Sequence, residues 1–276
     1  MKPQTNLAIC LVLLAIFFAG HVTFTQNLLR DVHNKLTMSQ LTIPNFSDIG
    51  VISARKQAFF DYLSPFITAE NSKIRAQRNF ISQQNMQSPS SKIQQLAIQY
   101  RLPANTANVK QSLLKRIDVL PSSLVLAQAA IESGWGTSRF AKQGNNFFGQ
   151  WCFTKGCGLI PSKRSNGSHH EVKRFNSPAE SIASYMHNLN SHPAYRQLRE
   201  NRTVQRGNSD LLNGCFLAEG LLEYSERKVD YVNSLKQLIR INDLEDKNSS
   251  YCQPPAEVGL KNQAKQAHIL SLQESH

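Results

Sequence analysis

Residues 121–136 read PSSLVLAQAAIESGWG, and the fold follows from how that stretch has to be buried. Pro121-Ser122-Ser123 is a helix-start signal, because proline and serine suit the first positions of a helix. The run Leu124 to Ile131 is apolar nearly all round. A helix without a polar face is buried on most sides, so other helices must surround it. It leads directly into Glu132-Ser133-Gly134-Trp135-Gly136. A carboxylate at the end of such a helix is costly to desolvate, burial raises its pKa, and Trp135 is placed to add an apolar wall. A carboxyl group kept protonated near neutral pH is what a general acid requires. Glycoside cleavage needs that acid at the leaving oxygen. The competing reading is that the helix ends before Glu132 and the carboxylate only meets solvent.

Outward from this helix, the apolar spacing predicts several others. Phe59, Leu63, Phe66, Ile67 and Ile74 recur at three- and four-residue steps between Ile52 and Ile81, with Pro65 expected to kink or interrupt the run. Residues 82–91 are polar, contain Pro89 and read as a linker. Ile93, Leu96, Ala97 and Tyr100 mark a short amphipathic piece, and Val109, Leu113, Leu114 and Ile117 another helix. Between 143 and 175, Gly144, Gly149, Gly156, Gly158 and Gly167 with alternating aromatics predict turns and short strands, Val172–Phe175 among them. Ser177-Pro178-Ala179-Glu180 is a capping-box start, followed by Ile182, Tyr185, Met186 and Leu189 on an inner face. Helices are also predicted over Leu211–Leu222 and from Val229 to Ile239. The fold class is therefore α+β, mainly α, with a small β-lobe and a helical N-terminal extension.

The 276 residues carry 31 Lys and Arg against 19 Asp and Glu, a formal charge of +12. That balance favours polyanionic partners: nucleic acid, anionic lipid or anionic cell-wall polymers. Met1-Lys2 followed by the uncharged run Leu7–Gly20 has the length of a signal-peptide core and is short of the roughly 20 residues of a spanning helix. Residues 1–25 are read as a signal peptide or an uncleaved signal anchor, which would give the only membrane contact. Beyond Cys10, four cysteines remain at 152, 157, 215 and 252. An even number in an exported chain suggests disulfides. Cys152 and Cys157 can close a small loop around Gly156, which leaves Cys215 and Cys252 to each other. His169, His170, His187 and His192 have no matching ligand spacing, so no metal or cofactor is called for. No helix-turn-helix or zinc-finger spacing supports nucleic acid. Beyond Asp246 the chain turns polar, with Pro254-Pro255, and reads as a flexible tail over 246–276.

The segments LVLAQAAIESGWGTSRFA, GNNFFGQW, VKRFNSPAESIASYMHNLNSHPAY and LLEYSERKVDYVNSL together resemble the glucosaminidase domain of glycoside hydrolase family 73 across about residues 119–242. The resemblance implies a lysozyme-like fold over 119–245, with 26–118 as the extension. It implies a hydrolase acting on peptidoglycan glycan strands, at the β-1,4 bond after N-acetylglucosamine. The N-terminal segment sets the expected location as the periplasm or cell envelope, and a monomer is expected. The resemblance makes Glu132 the general acid. The family often places a second carboxylate on the β-lobe, and Glu171 is the only acid between Phe140 and Phe175. Tyr224 and Tyr231 match the family's late aromatic positions; Tyr224 is expected to orient the acetamido group or water, and Tyr231 to line the site or merely pack. Asn145, Asn146 and Phe148 resemble a cleft-lining segment, and Trp151 is the better stacking group. Ser225-Glu226-Arg227 departs from the family's usual Ala-Thr-Asp. A lytic transglycosylase and a non-catalytic cell-wall-binding protein are the alternatives. Activation of water by the substrate's own acetamido group would replace Glu171.

Overall fold

The computed structural model describes residues 42–85, 90–162, 169–209, 211–245 and 250–253. The chain divides into a unit of the first 44 residues and a compact unit from Asn45 onward; the account below concerns the second. The expected signal segment and Gly167 lie outside the described residues, as do residues 86–89 of the linker and most of the tail. Among the described residues no helix is long and apolar enough to cross a membrane.

The second unit is mainly α. A short turn at Phe46–Asp48 precedes α1 (Ile52–Gln83), α2 (Ser91–Gln99), α3 (Val109–Arg116), α4 (Ser122–Ser133) and α5 (Arg139–Gly144). Strands β1 (Trp151–Cys152), β2 (Gly158–Leu159) and β3 (Glu171–Lys173) follow, then α6 (Pro178–Ser191), α7 (Arg196–Asn208), α8 (Gly214–Ala218) and α9 (Val229–Ile241). The strands form one antiparallel sheet in the order β1-β3-β2, with Trp151 opposite Val172 and Gly158 opposite Lys173.

Helix α4 is the centre, as its sequence requires. Every residue from Ser123 to Ala130 is buried, and α1, α8 and α9 pack around it. Helix α1 also lies against α3 and α6, burying Phe59, Leu63, Phe66 and Ile67. The extension is thus built into the same core as the glucosaminidase-like segment. Pro65 does not interrupt α1, which runs unbroken over 32 residues. Proline costs the helix one backbone bond, but the buried side chains on both sides of it fix the axis, and Ser64 Oγ donates to the Phe60 carbonyl at 2.6 Å.

Two further expectations are corrected. The helix expected over Leu211–Leu222 is confined to α8 and a turn at Glu219–Leu221. Asn213 starts it by accepting from the Phe216 N–H, and Leu211 is left exposed. Helix α7, which apolar periodicity does not reveal, buries Leu198, Arg199, Arg202 and Gln205. The capping box of α6 is also offset. Ser177 Oγ accepts from the Glu180 N–H, but Glu180 reaches back to the N–H of Asn176.

The arginines of α7 are the polar half of the core. Arg202 donates to the carbonyls of Lys115 and Arg116, both at 3.0 Å, so it satisfies the last carbonyls of α3. It also donates to the Asp118 carbonyl and to Asn190 Oδ1. The Asp118 carboxylate accepts from Arg206 at 2.9 Å and lies 3.6 Å from Arg78. Burial opposes that carboxylate's charge, but the hydrogen bond from Arg206 and the charges of Arg202 and Arg78 outweigh it and lower its pKa. Breaking a buried pair by removing one charge costs about 3–5 kcal/mol. Asp118→Asn should therefore lower stability by about that amount at neutral pH, in denaturant titration. The sign follows from the depressed pKa: the wild-type advantage is complete above the unfolded carboxylate value of about 3.9 and disappears as pH falls through the lower folded one. A variant as stable as wild type at pH 7 would refute this account of the cluster.

Candidate active site

Helix α4 stops because Gly134 enters the left-handed region at φ 56°, and the Trp135 N–H closes back on the Ala130 carbonyl at 2.9 Å. Ser133 Oγ donates to the Ala129 carbonyl and accepts from the Gly136 N–H. A Cβ at residue 136 would lie 2.4 Å from the Phe46 ring, so only glycine lets that ring approach. This turn leaves Glu132 on the last turn of the helix, part-buried. Trp135 was expected to wall the acid. Its ring packs edge-on against Phe59 and Phe60 of α1, with Lys56 5.0 Å from its centre. Trp135 anchors the turn to α1 through these contacts.

The acid's neighbours come from the far end of the chain. Tyr231 Oη donates to Glu132 Oε1 at 2.8 Å and accepts from Gln128 Nε2 at 2.9 Å. Gln128 Oε1 accepts from the Tyr185 hydroxyl. Tyr224 stacks on Tyr231, with ring centres 5.5 Å apart, and donates its hydroxyl to the Phe148 carbonyl at 3.1 Å. Tyr195 lies against Tyr224. Burial raises the Glu132 pKa, and the bond from Tyr231 works against that rise without cancelling it. Burial also raises the pKa of Tyr185, Tyr195, Tyr224 and Tyr231, with the charge of Glu132 adding to each. These phenols stay neutral where Glu132 titrates.

The 144–151 segment comes up to Glu132 at Gly149, but most of its polar groups serve its own backbone. Asn145 ends α5 with φ 51° and donates to the Phe175 carbonyl. Asn146 was expected to face substrate. It is buried, donates to the carbonyls of Gln150 and Lys173, and accepts from the N–H groups of Phe148 and Gln150. Phe148, expected on a sugar face, is buried and stacked on Tyr185 with centres 3.9 Å apart. What it offers the site is its carbonyl. Gly149, at φ 64°, brings the chain close to the acid: a Cβ there would lie 3.7 Å from Glu132 Oε2. Trp151 is different, being 59% exposed and stacked on His170 at 3.9 Å.

Glu171 was expected as the second carboxylate, on the β-lobe. It lies in β3, the central strand, only 6% exposed. Its Oε1 accepts from the Gly156 N–H at 2.9 Å and its Oε2 from the Gly158 N–H at 2.7 Å. These bonds clamp the loop that the Cys152–Cys157 disulfide closes. The second pair, Cys215–Cys252, ties the Ser250–Cys252 turn to α8, so the chain is held further along than the expected tail boundary.

Sequence reading missed Gln128, Tyr185 and Gly149, and ranked Tyr224 above Tyr231. One signal for Gln128 was present: it is the single polar residue between Leu124 and Ile131, one helical turn before Glu132.

Asn146→Ala should cost about 2–4 kcal/mol of stability, since four hydrogen bonds of about 1 kcal/mol each are lost. Asn146→Asp should not restore it, because a carboxylate has no protons for the Gln150 and Lys173 carbonyls. Thermal unfolding of both variants checks this, and a wild-type midpoint in either one contradicts the cradle.

Comparison with known proteins places this geometry. Residues 107–244 match the glucosaminidase family model, described as mannosyl-glycoprotein endo-beta-N-acetylglucosaminidase. The chain is 34% identical over 196 residues to the protein Bax of Escherichia coli strain K12, covering 68% of this chain and 70% of Bax. No solved structure matches it.

Proposed function

Because this chain belongs to the glucosaminidase family, we propose that it is an exported glycoside hydrolase that cleaves peptidoglycan at the β-1,4 bond after N-acetylglucosamine. The observation that carries the reading is Glu132: a carboxyl group with a burial-raised pKa, held through one oxygen by a neutral phenol. In that state it can donate a proton to the glycosidic oxygen as the bond to C1 breaks. The exposed Trp151 offers its face to a sugar ring. The positive charge of the chain suits an anionic wall polymer, and two disulfides suit an oxidising compartment.

The second group is assigned here to the substrate. Glu171 accepts two backbone N–H bonds in the clamped loop, which supports a bracing role. The acetamido carbonyl oxygen of the sugar then attacks C1 as the leaving oxygen takes the Glu132 proton, and water afterwards attacks C1, breaks the new C1–O bond and gives its proton back to the Glu132 carboxylate.

Glu132→Gln should lower clearing of purified cell walls by a factor on the order of 10²–10⁴. Its stability should match or exceed wild type at pH 8, because a carboxyl with raised pKa destabilises the fold as it ionises. Wild-type clearing by a folded variant would defeat the assignment. Products one water heavier than anhydro-sugars exclude a lytic transglycosylase. Glu171→Gln should lower the melting temperature and leave the kcat of the folded enzyme within about threefold of wild type, while glycan stripped of its acetyl groups should not be cleaved. Rapid cleavage of that de-acetylated glycan, with a folded but inactive Glu171→Gln, would return the role of base to Glu171.

A further inference from the structure

Gln128 has no solvent exposure and no substrate to meet, yet its amide is used at both ends. A buried polar side chain inside an otherwise apolar helix is tolerated only where its bonds are complete. Here they also carry direction. The buried Tyr185 hydroxyl needs an acceptor for its proton and finds Gln128 Oε1. That fixes which end of the amide faces Tyr231: it is Nε2, a donor only. Tyr231 must receive that bond on its oxygen, so its own proton is left for Glu132 Oε1. The row Tyr185, Gln128, Tyr231, Glu132 therefore points one way. Reversing the amide would give Tyr231 an acceptor in place of a donor and draw its proton away from the acid.

We propose that Gln128 is a positioning residue for the acid: by donating to Tyr231 it commits that tyrosine's proton to Oε1 and leaves Oε2, the oxygen beside Gly149, to hold and deliver the catalytic proton. The inference rests on Glu132 being the acid. It makes the two carboxyl oxygens inequivalent before substrate arrives. The carboxyl is then presented in one orientation, and the proton has one place to sit. The titratable groups that interact with Glu132 are Tyr185 of α6, Tyr195, Tyr224, and Tyr231 of α9, all neutral where Glu132 titrates, while Lys56 of α1 lies over Trp135. No other titration is therefore expected to mask that of Glu132.

The test is a carbon-13 carboxyl titration of Glu132 by NMR, run beside kcat and KM against pH on a soluble glycan. The proteins are wild type, Gln128→Leu, Tyr231→Phe and the double variant. Losing a hydrogen bond to the charged form raises a carboxyl pKa. Gln128→Leu should move the Glu132 titration to higher pH, in the same direction as Tyr231→Phe. It should lower kcat at least about tenfold with KM near wild type, the scale of one bond to a charged group. Since Gln128 acts through Tyr231, the double variant should behave as Tyr231→Phe alone. A folded Gln128→Leu with an unmoved Glu132 titration, or additive losses in the double variant, would overturn the proposal. Should Gln128→Leu fail to fold, Tyr185→Phe reads the same relay, because it frees the amide to reverse; an unchanged titration there would overturn it equally. If wild type cleaves no glycan, the assigned activity fails, and the titration still decides the relay.

Discussion

Glu132 is a carboxyl group on a helix wrapped on nearly every side, and the hydrogen bond from Tyr231 is what makes that burial tolerable. Two effects oppose each other there. Taking a carboxylate out of water costs several kcal/mol even after relaxation. A hydrogen bond to a charged group returns about 1.5–3 kcal/mol. Burial is the larger, so the pKa stays raised, while the bond keeps the group oriented. The donor lies 99 residues further along the chain. Bringing it there requires α9 to pack on α4 and α8, with the Cys215–Cys252 bridge fastening the turn beyond α9 back to α8.

The same economy of polar groups explains why several residues with the chemistry of binders are engaged by backbone groups of their own segment. An irregular segment such as 144–151 leaves many backbone groups without helix or sheet partners, and buried ones must still be satisfied. Asn146 meets four of them with one side chain. Glu171 meets two more in the disulfide loop, and Arg202 closes the end of α3. Amides, carboxylates and guanidinium groups are the side chains able to do this, and they are also the ones that recognise sugars. Residue type alone does not separate the two uses.

That overlap sets what could be read from the chain. Helices with an apolar stripe were legible, and so was the all-round burial of α4, from which Glu132 was picked out. Helix α7 was hidden because its inward face has the right spacing, 198, 202 and 205, in the wrong chemistry: leucine, arginine and glutamine. The break expected at Pro65 did not occur, because a local rule about one missing bond was outweighed by packing over the whole of α1. The pairing of the cysteines followed from spacing and count. The order of the two late tyrosines did not, since both lie near the acid and only geometry shows that Tyr231 touches the carboxyl while Tyr224 holds the Phe148 carbonyl.

Trp135 ties the extension to the turn that carries Glu132. The family match covers 107–244, yet the ring of Trp135, three residues after the acid, is bound to Phe59 and Phe60 of α1, outside that range. Gly136 then closes on Phe46, further upstream still. The turn that ends α4, and so sets where Glu132 leaves the helix, is therefore built jointly by the glucosaminidase segment and the residues before it. Without α1 the flank of α4 would be open to water along Leu63, Phe66 and Ile67's side of the core. Water at that flank would weaken the burial that raises the Glu132 pKa. The extension thus shares one core and one turn with the segment that carries Glu132.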